Sequence, residues 1–223
     1  MTDLKTLLDF KEFKDIYEIE NHFYKISQQL FYNFKLQTMS GQLLTITELE
    51  LYIYHNNGFK EKTMHKHHSQ ITSGRFYIHR HHNNKSSFKK PSHMGIDITC
   101  GNPFSCYAGI LIRETKKDDN FLSCSKTVLE MIGSQYSNLR TKKWDTNELA
   151  WLHKLDDADI FDGPVQLKKN LVHNIAMPVW SCKKNTKAEQ NQFMKQEFKT
   201  ISSLASSSKK HLVEVLFNNV KAA

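Results

Sequence analysis

Residues Thr45–His55 read TITELELYIYH. Apolar and other residues alternate through the run, the period-two signature of a β-strand with one face against a core. On that geometry Thr47, Leu49, Leu51 and Ile53 share the inward face, and Glu48, Glu50, Tyr52 and Tyr54 share the other. Carboxylates two residues from a tyrosine admit two readings. The plainer is a solvated face. The other is a functional wall, with a general base beside an aromatic surface on which a planar ring can stack.

Working outward, FYNFKLQ (31–37) precedes this strand and the turn residues Thr38 to Gly41 separate the two, which predicts an antiparallel hairpin. GRFYIHR (74–80), GIDITCG (95–101) and YAGILIRE (107–114) are short runs rich in β-branched and aromatic residues, so the middle of the chain reads as an antiparallel sheet. Upstream, apolar residues recur every three or four positions from Leu4 to about Gln29, as in Phe13, Ile16, Tyr17 and Phe23, predicting one or two short helices. Downstream, helices are expected over Ser125–Ile132 and around Glu148–Leu155. A break at Gly163-Pro164 leads into VQLKKNLVH (165–173), and two more helices are expected in Lys187–Val220 around the serine-rich SSLASSSKK (202–210). The expected fold is α+β, in a single domain.

At 223 residues the chain can bury roughly 70% of its unfolded surface. With 39% hydrophobic residues, 14 Phe and 8 Tyr, it is expected to fold rather than stay disordered. No apolar run approaches the roughly 20 residues that cross a bilayer. The amino terminus, MTDLKTLLDFKEF, carries charges where a signal peptide needs an apolar stretch, so a soluble, intracellular protein is expected, with no membrane partner. A net charge of +8 favours polyanionic partners, nucleic acid first. Cys100, Cys106, Cys124 and Cys182 form no CxxC pair and are expected as buried or free thiols.

Seven of the twelve histidines lie between His65 and His93. On paired strands His65 and His67 could face His79 and His81 around a metal ion. Flanking Lys, Asn and Ser residues and the lack of an HExxH pattern argue instead for loop histidines, and no metal is expected. The basic segment RHHNNKSSFKKPSH (80–93) reads either as a solvated loop or as a hairpin tip that rests Lys89 and Lys90 on phosphates and pushes Phe88 into a base stack.

Taken in order, ITELELY, MHKHH, GRFYIH, GIDITCG, YAGILIRE and DGPVQLKKNL resemble the motif series of the alkyladenine (3-methyladenine, methylpurine) DNA glycosylase family over roughly residues 23–173. The resemblance implies one domain over residues 1–223, built on a central curved antiparallel β-sheet or partial barrel flanked by helices at both ends, with residues 177–223 as a helical C-terminal extension. It implies Glu50 as the catalytic base and Arg113 as the arginine that helps hold the attacking water. Tyr52, His65, Tyr77 and His79 would surround the flipped base. Gly163-Pro164 would match the segment that precedes a helix. Asp97 stands where the family carries an asparagine that disfavours guanine's exocyclic amine, and a carboxylate could accept a hydrogen bond from that amine. The family's wedge tyrosine is absent, with Phe88 as the substitute in the longer 80–93 loop.

The expected activity is therefore a monofunctional N-glycosylase of base excision repair. It would flip an alkylated purine from duplex DNA and hydrolyse its glycosidic bond with a Glu50-activated water, as a monomer without a cofactor, in the cytoplasm or a nucleus. Two alternatives remain: an N-glycosidase acting on RNA or nucleotides, and a non-catalytic nucleic-acid-binding module with the same fold.

Overall fold

The computed structural model describes residues 4–10, 13–14, 16–55, 64–81 and 88–133, together with three strands at 152–154, 165–171 and 196–202. A short helix, α1 (Leu4–Leu7), leads to α2 (Ile16–Asn33). Ile19, Phe23, Ile26, Leu30 and Phe31 of α2 are buried, a three-to-four-residue stripe that packs the helix onto the sheet. His22 ties the two helices together through its Nε2, 2.6 Å from the Leu7 carbonyl oxygen. Burial lowers its pKa, with that hydrogen bond opposing and Lys25 reinforcing the shift.

The expected hairpin forms from β1 (Phe34–Gln37) and β2 (Leu43–His55), with Leu36 opposite Leu44. Thr38 closes the turn: its N–H donates to the Gln42 carbonyl at 2.8 Å and its Oγ1 accepts from the Gln42 N–H at 3.0 Å. Gly41 supplies the left-handed residue that the turn requires, at φ +86°. Then follow β3 (Phe76–Ile78), β4 (Ile96–Thr99), β5 (Cys106–Lys117), β6 (Asn120–Ser123) and α3 (Cys124–Ile132). The order β3-β4-β5-β2-β1, antiparallel throughout, makes a curled half-barrel sheet with helices packed at its ends. The α+β expectation is met.

The phase of β2 changes partway along. Leu44 and Ile46 lie in the core, and so do Leu49, Leu51 and Ile53, so the inward positions pass from even to odd numbers. The register explains this. Ile46 pairs with Thr115, Glu48 with Glu114 and Leu49 with Ile112, which leaves Thr47 extra on β2 and Arg113 extra on β5. Two opposed bulges therefore sit side by side, and bulges re-aim the side chains beside them. Beyond the bulge the core face of β5 is Cys106, Ala108, Ile110 and Ile112, matched by Ile96 and Ile98 on β4 and Phe76 and Ile78 on β3. At the far end Thr115 Oγ1 lies 2.9 Å from Thr127 Oγ1, and Val128, Met131 and Ile132 of α3 close the core.

The later part of the chain departs from the helical expectation. Leu152–Lys154, inside the helix expected at Glu148–Leu155, is strand β7, which pairs with the free edge of β1. Val165–Leu171, directly after Gly163-Pro164, is strand β8 rather than a helix. Gln196–Ser202, inside the expected C-terminal helices, is strand β9. It pairs with Glu48–Leu51 on the edge of β2 opposite β5, and β8 pairs with β9. An open edge on the central strand offers a row of unpaired backbone donors and acceptors, and satisfying it outweighs local helix propensity. The rest of the expected C-terminal helices lies outside the described residues, as does Cys182. Among the described residues no helix is long and apolar enough to cross a membrane.

Candidate active site

Directly opposed residues on neighbouring strands point to the same face of a sheet. Glu50 of β2 opposes Leu111 of β5, Leu111 opposes Asp97 of β4, and Asp97 opposes Tyr77 of β3. These four therefore form one lateral row on the face opposite the core that α2 covers. That face is not solvated, as the plainer reading of β2 had it: Glu48 is 6% exposed, Glu50 2% and Asp97 1%. Segments 64–71 and 88–94 lie over it, and between them and the sheet is a cavity of about 370 Å³. Tyr52, His65, His79, Lys89, Asp97 and Arg113 all line it, together with Gln70 and Leu111.

At one end stands Glu50. The Tyr52 hydroxyl donates to its Oε2 at 2.9 Å, and Arg113 Nη1 reaches the same oxygen at 3.3 Å. Arg113 comes from the β5 bulge and so leans toward a strand position that regular pairing would not give it. Burial pulls the Arg113 pKa down, but the charge of Glu50, with Tyr52 and Glu48, outweighs it and the net shift is upward. Its buried Nε has no hydrogen-bond partner among the described residues. Beside this pair, Glu48 opposes Glu114, also buried, whose Oε1 accepts from the Thr47 hydroxyl at 3.0 Å.

At the other end Asp97 is held from two sides. Its Oδ1 is 2.6 Å from His79 Nε2, and its Oδ2 accepts from Gln70 Nε2 at 3.0 Å. The carboxylate thus positions His79 and Gln70, and with one donor on each oxygen it keeps further acceptor capacity at the cavity wall. Gln70 is fixed in turn, because its Oε1 accepts from the His67 N–H at 3.0 Å as half of a capping box on the short 3₁₀-helix His68–Ile71. Two glycines make room for this arrangement. A Cβ on Gly109 would lie 2.7 Å from Asp97 Oδ2, and one on Gly95 would lie 2.8 Å from His79 Nδ1.

The aromatic wall is composite. His65 stands edge-on to His79 with ring centroids 4.6 Å apart, and its Nδ1 is 3.1 Å from the Tyr77 hydroxyl. Tyr77 is fully buried and does not line the cavity; it backs His65 and stacks on His67 at 5.0 Å. Among the described residues no group of three His, Cys, Asp or Glu side chains is arranged to hold a metal ion.

The structure therefore brings together Glu50, Tyr52 and Arg113, and separately His65, Tyr77, His79 and Asp97. Tyr52, Arg113, His65, His79 and Asp97 line one cavity, while Glu50 lies buried behind Tyr52 and Arg113 and Tyr77 behind His65. The basic loop behaves differently. Phe88 packs partly buried against the core, with the Arg80 guanidinium carbon 4.2 Å from its ring centre, and does not project as a wedge. An apolar ring beside an open core flank gains more by covering it than by standing in water. Lys89 lines the cavity, Lys90 is exposed, and residues 82–87, which hold the loop tip, lie outside the described residues. Sequence reasoning missed Gln70, for which a polar residue in a polar stretch carries no signal, and Cys124, whose thiol burial pushes up to about 12 despite the opposing pull of Arg113. The chain matches no family model, and no curated protein is significantly similar to it.

Proposed function

We propose that this protein is an N-glycosidase that takes an extruded, alkylated purine nucleotide into the cavity and releases its base by hydrolysis. The observation that carries the reading is Glu50: a carboxylate buried behind a cavity large enough for a small planar ligand and held by Tyr52 and Arg113. Buried carboxylates are costly unless they are paired, and this one is paired to residues that themselves line the cavity. Glu50 takes a proton from water, the oxygen bonds to C1′, and the electron pair of the C1′–N bond leaves with the base. An alkylated purine carries a positive charge and departs neutral, so no second carboxylic acid is needed. The same carboxylate charge favours the oxocarbenium character that develops at C1′.

Tyr52, His65 and His79 supply the aromatic wall, and the net charge of +8 favours the phosphate backbone outside it. The motif order that resembles the alkyladenine DNA glycosylase family supports the same assignment of Glu50, Tyr52 and Arg113. A panel of duplexes carrying alkylated, deaminated and undamaged bases tests the reading. Release of free alkylated purine above the undamaged control is expected. Binding to duplex with no base released from any substrate would overturn it.

A further inference from the structure

Lys89 lines the cavity with Tyr52, His79 and Arg113, and base release as derived above makes no use of it. Its backbone is fixed, since Lys89 N–H donates to the His79 carbonyl at 3.1 Å and the preceding Phe88 bridges to Arg80. The side chain is half-buried, and among the described residues it makes no ion pair with a carboxylate. Desolvation lowers its pKa, with Asp97 and Cys124 opposing the shift without reversing it. An amine in that state carries its lone pair in a larger fraction of molecules than a solvated lysine does.

We propose that Lys89 captures the abasic product as a Schiff base, an inference that rests on the cavity taking an extruded nucleotide. Hydrolysis at C1′ leaves a hemiacetal whose ring opens to an aldehyde. The neutral Nζ adds to C1′, and the carbonyl oxygen takes both protons that the nitrogen gives up and leaves as water. A C1′=N bond remains, with no oxidant or reductant needed. Water reverses the sequence and returns the free amine. The imine holds a reactive aldehyde inside the protein between base release and handover of the site.

The test uses the full chain and a duplex with a single preformed abasic site, so it does not depend on base release. Borohydride reduces an imine to a stable secondary amine, which shows as a protein–DNA adduct on a denaturing gel. The adduct is expected with the unaltered protein, mapped to Lys89 by peptide mass. Lys89→Arg, which keeps charge and bulk, should lower it more than tenfold, while Lys126→Arg on the exposed side of α3 leaves it unchanged. A thermal melt of Lys89→Arg matching the unaltered protein shows that the loss is chemical. No adduct, an adduct on another lysine, or full adduct in Lys89→Arg overturns the proposal. Base release from alkylated duplex is measured alongside. Release without an adduct removes the Schiff base alone, and an adduct at Lys89 without release removes the glycosidase reading alone.

Discussion

Replacing Gly109 with alanine puts the architecture of the site under a direct load. The new Cβ would lie 2.7 Å from Asp97 Oδ2 and 3.1 Å from both the Cβ and the Cγ of the same residue. Ordinary contact begins at 3.4 Å, so the carboxylate oxygen must move by at least 0.7 Å, and the root of the side chain obstructs a simple rotation away. The hydrogen bond from Gln70, now 3.0 Å, would stretch beyond useful length if the motion runs away from that donor. The alternative is displacement of the 2.6 Å contact to His79. Losing one hydrogen bond to a charged group costs about 1.5–3 kcal/mol, similar to the roughly 1–3 kcal/mol of overpacking, and the two describe one event rather than two. Gly109→Ala should therefore lower stability by about 2 kcal/mol, or roughly 4–8 °C in Tm for a chain of this size. A double-mutant cycle with Asp97→Ala supplies the discriminating measurement, because removing the carboxylate removes the 2.7 Å contact and leaves only the milder 3.1 Å one to the Cβ. Urea melts should show Gly109→Ala costing much less in the Asp97→Ala background than in the unaltered protein. An equal cost in both backgrounds, or under about 0.5 kcal/mol in the unaltered protein, would refute the reasoning.

Other outcomes follow from the same geometry. Tyr52→Phe keeps the ring against the cavity but removes the hydroxyl that holds Glu50, so the rate of base release should fall roughly ten- to hundredfold with little change in substrate binding, whereas Tyr52→Ala should weaken both. Cys124, with its thiol pushed up to about 12, should alkylate with iodoacetamide at pH 8 about a thousandfold more slowly than an unperturbed thiol. Rapid labelling of Cys124 would show the Met94–Cys124 side of the cavity to be open to solvent.

Much of the sheet was legible in the residue order, because FKLQ, LTITELELYIYH and YAGILIRE carry their period there and the first hairpin carries its turn in Ser-Gly. The bulge was legible too in principle: Leu44 and Ile46 are out of phase with Leu49, Leu51 and Ile53, which alternation about a flat strand cannot accommodate. Reading Glu48 and Glu50 as a solvated face fails for a different reason. Burial of that face depends on segments 64–71 and 88–94 folding over it, and no local pattern in β2 encodes a cover supplied from elsewhere. Gln70 meets Asp97 across 27 positions of chain, and the signal of that contact is spread over a capping box, a glycine and a strand pairing. The strand at Gln196–Ser202 was read as helix because its charges and apolar residues suit either period, and its pairing with β2 decides the matter.

The central claim is that Glu50 activates the water that breaks the glycosidic bond. Single-turnover release of base from alkylated duplex by Glu50→Gln tests it most directly, since glutamine keeps the size of the side chain and can still accept from the Tyr52 hydroxyl. Loss of a general base predicts a fall of about 10²–10⁴-fold in release with duplex binding retained. Release at the unaltered rate would contradict the account.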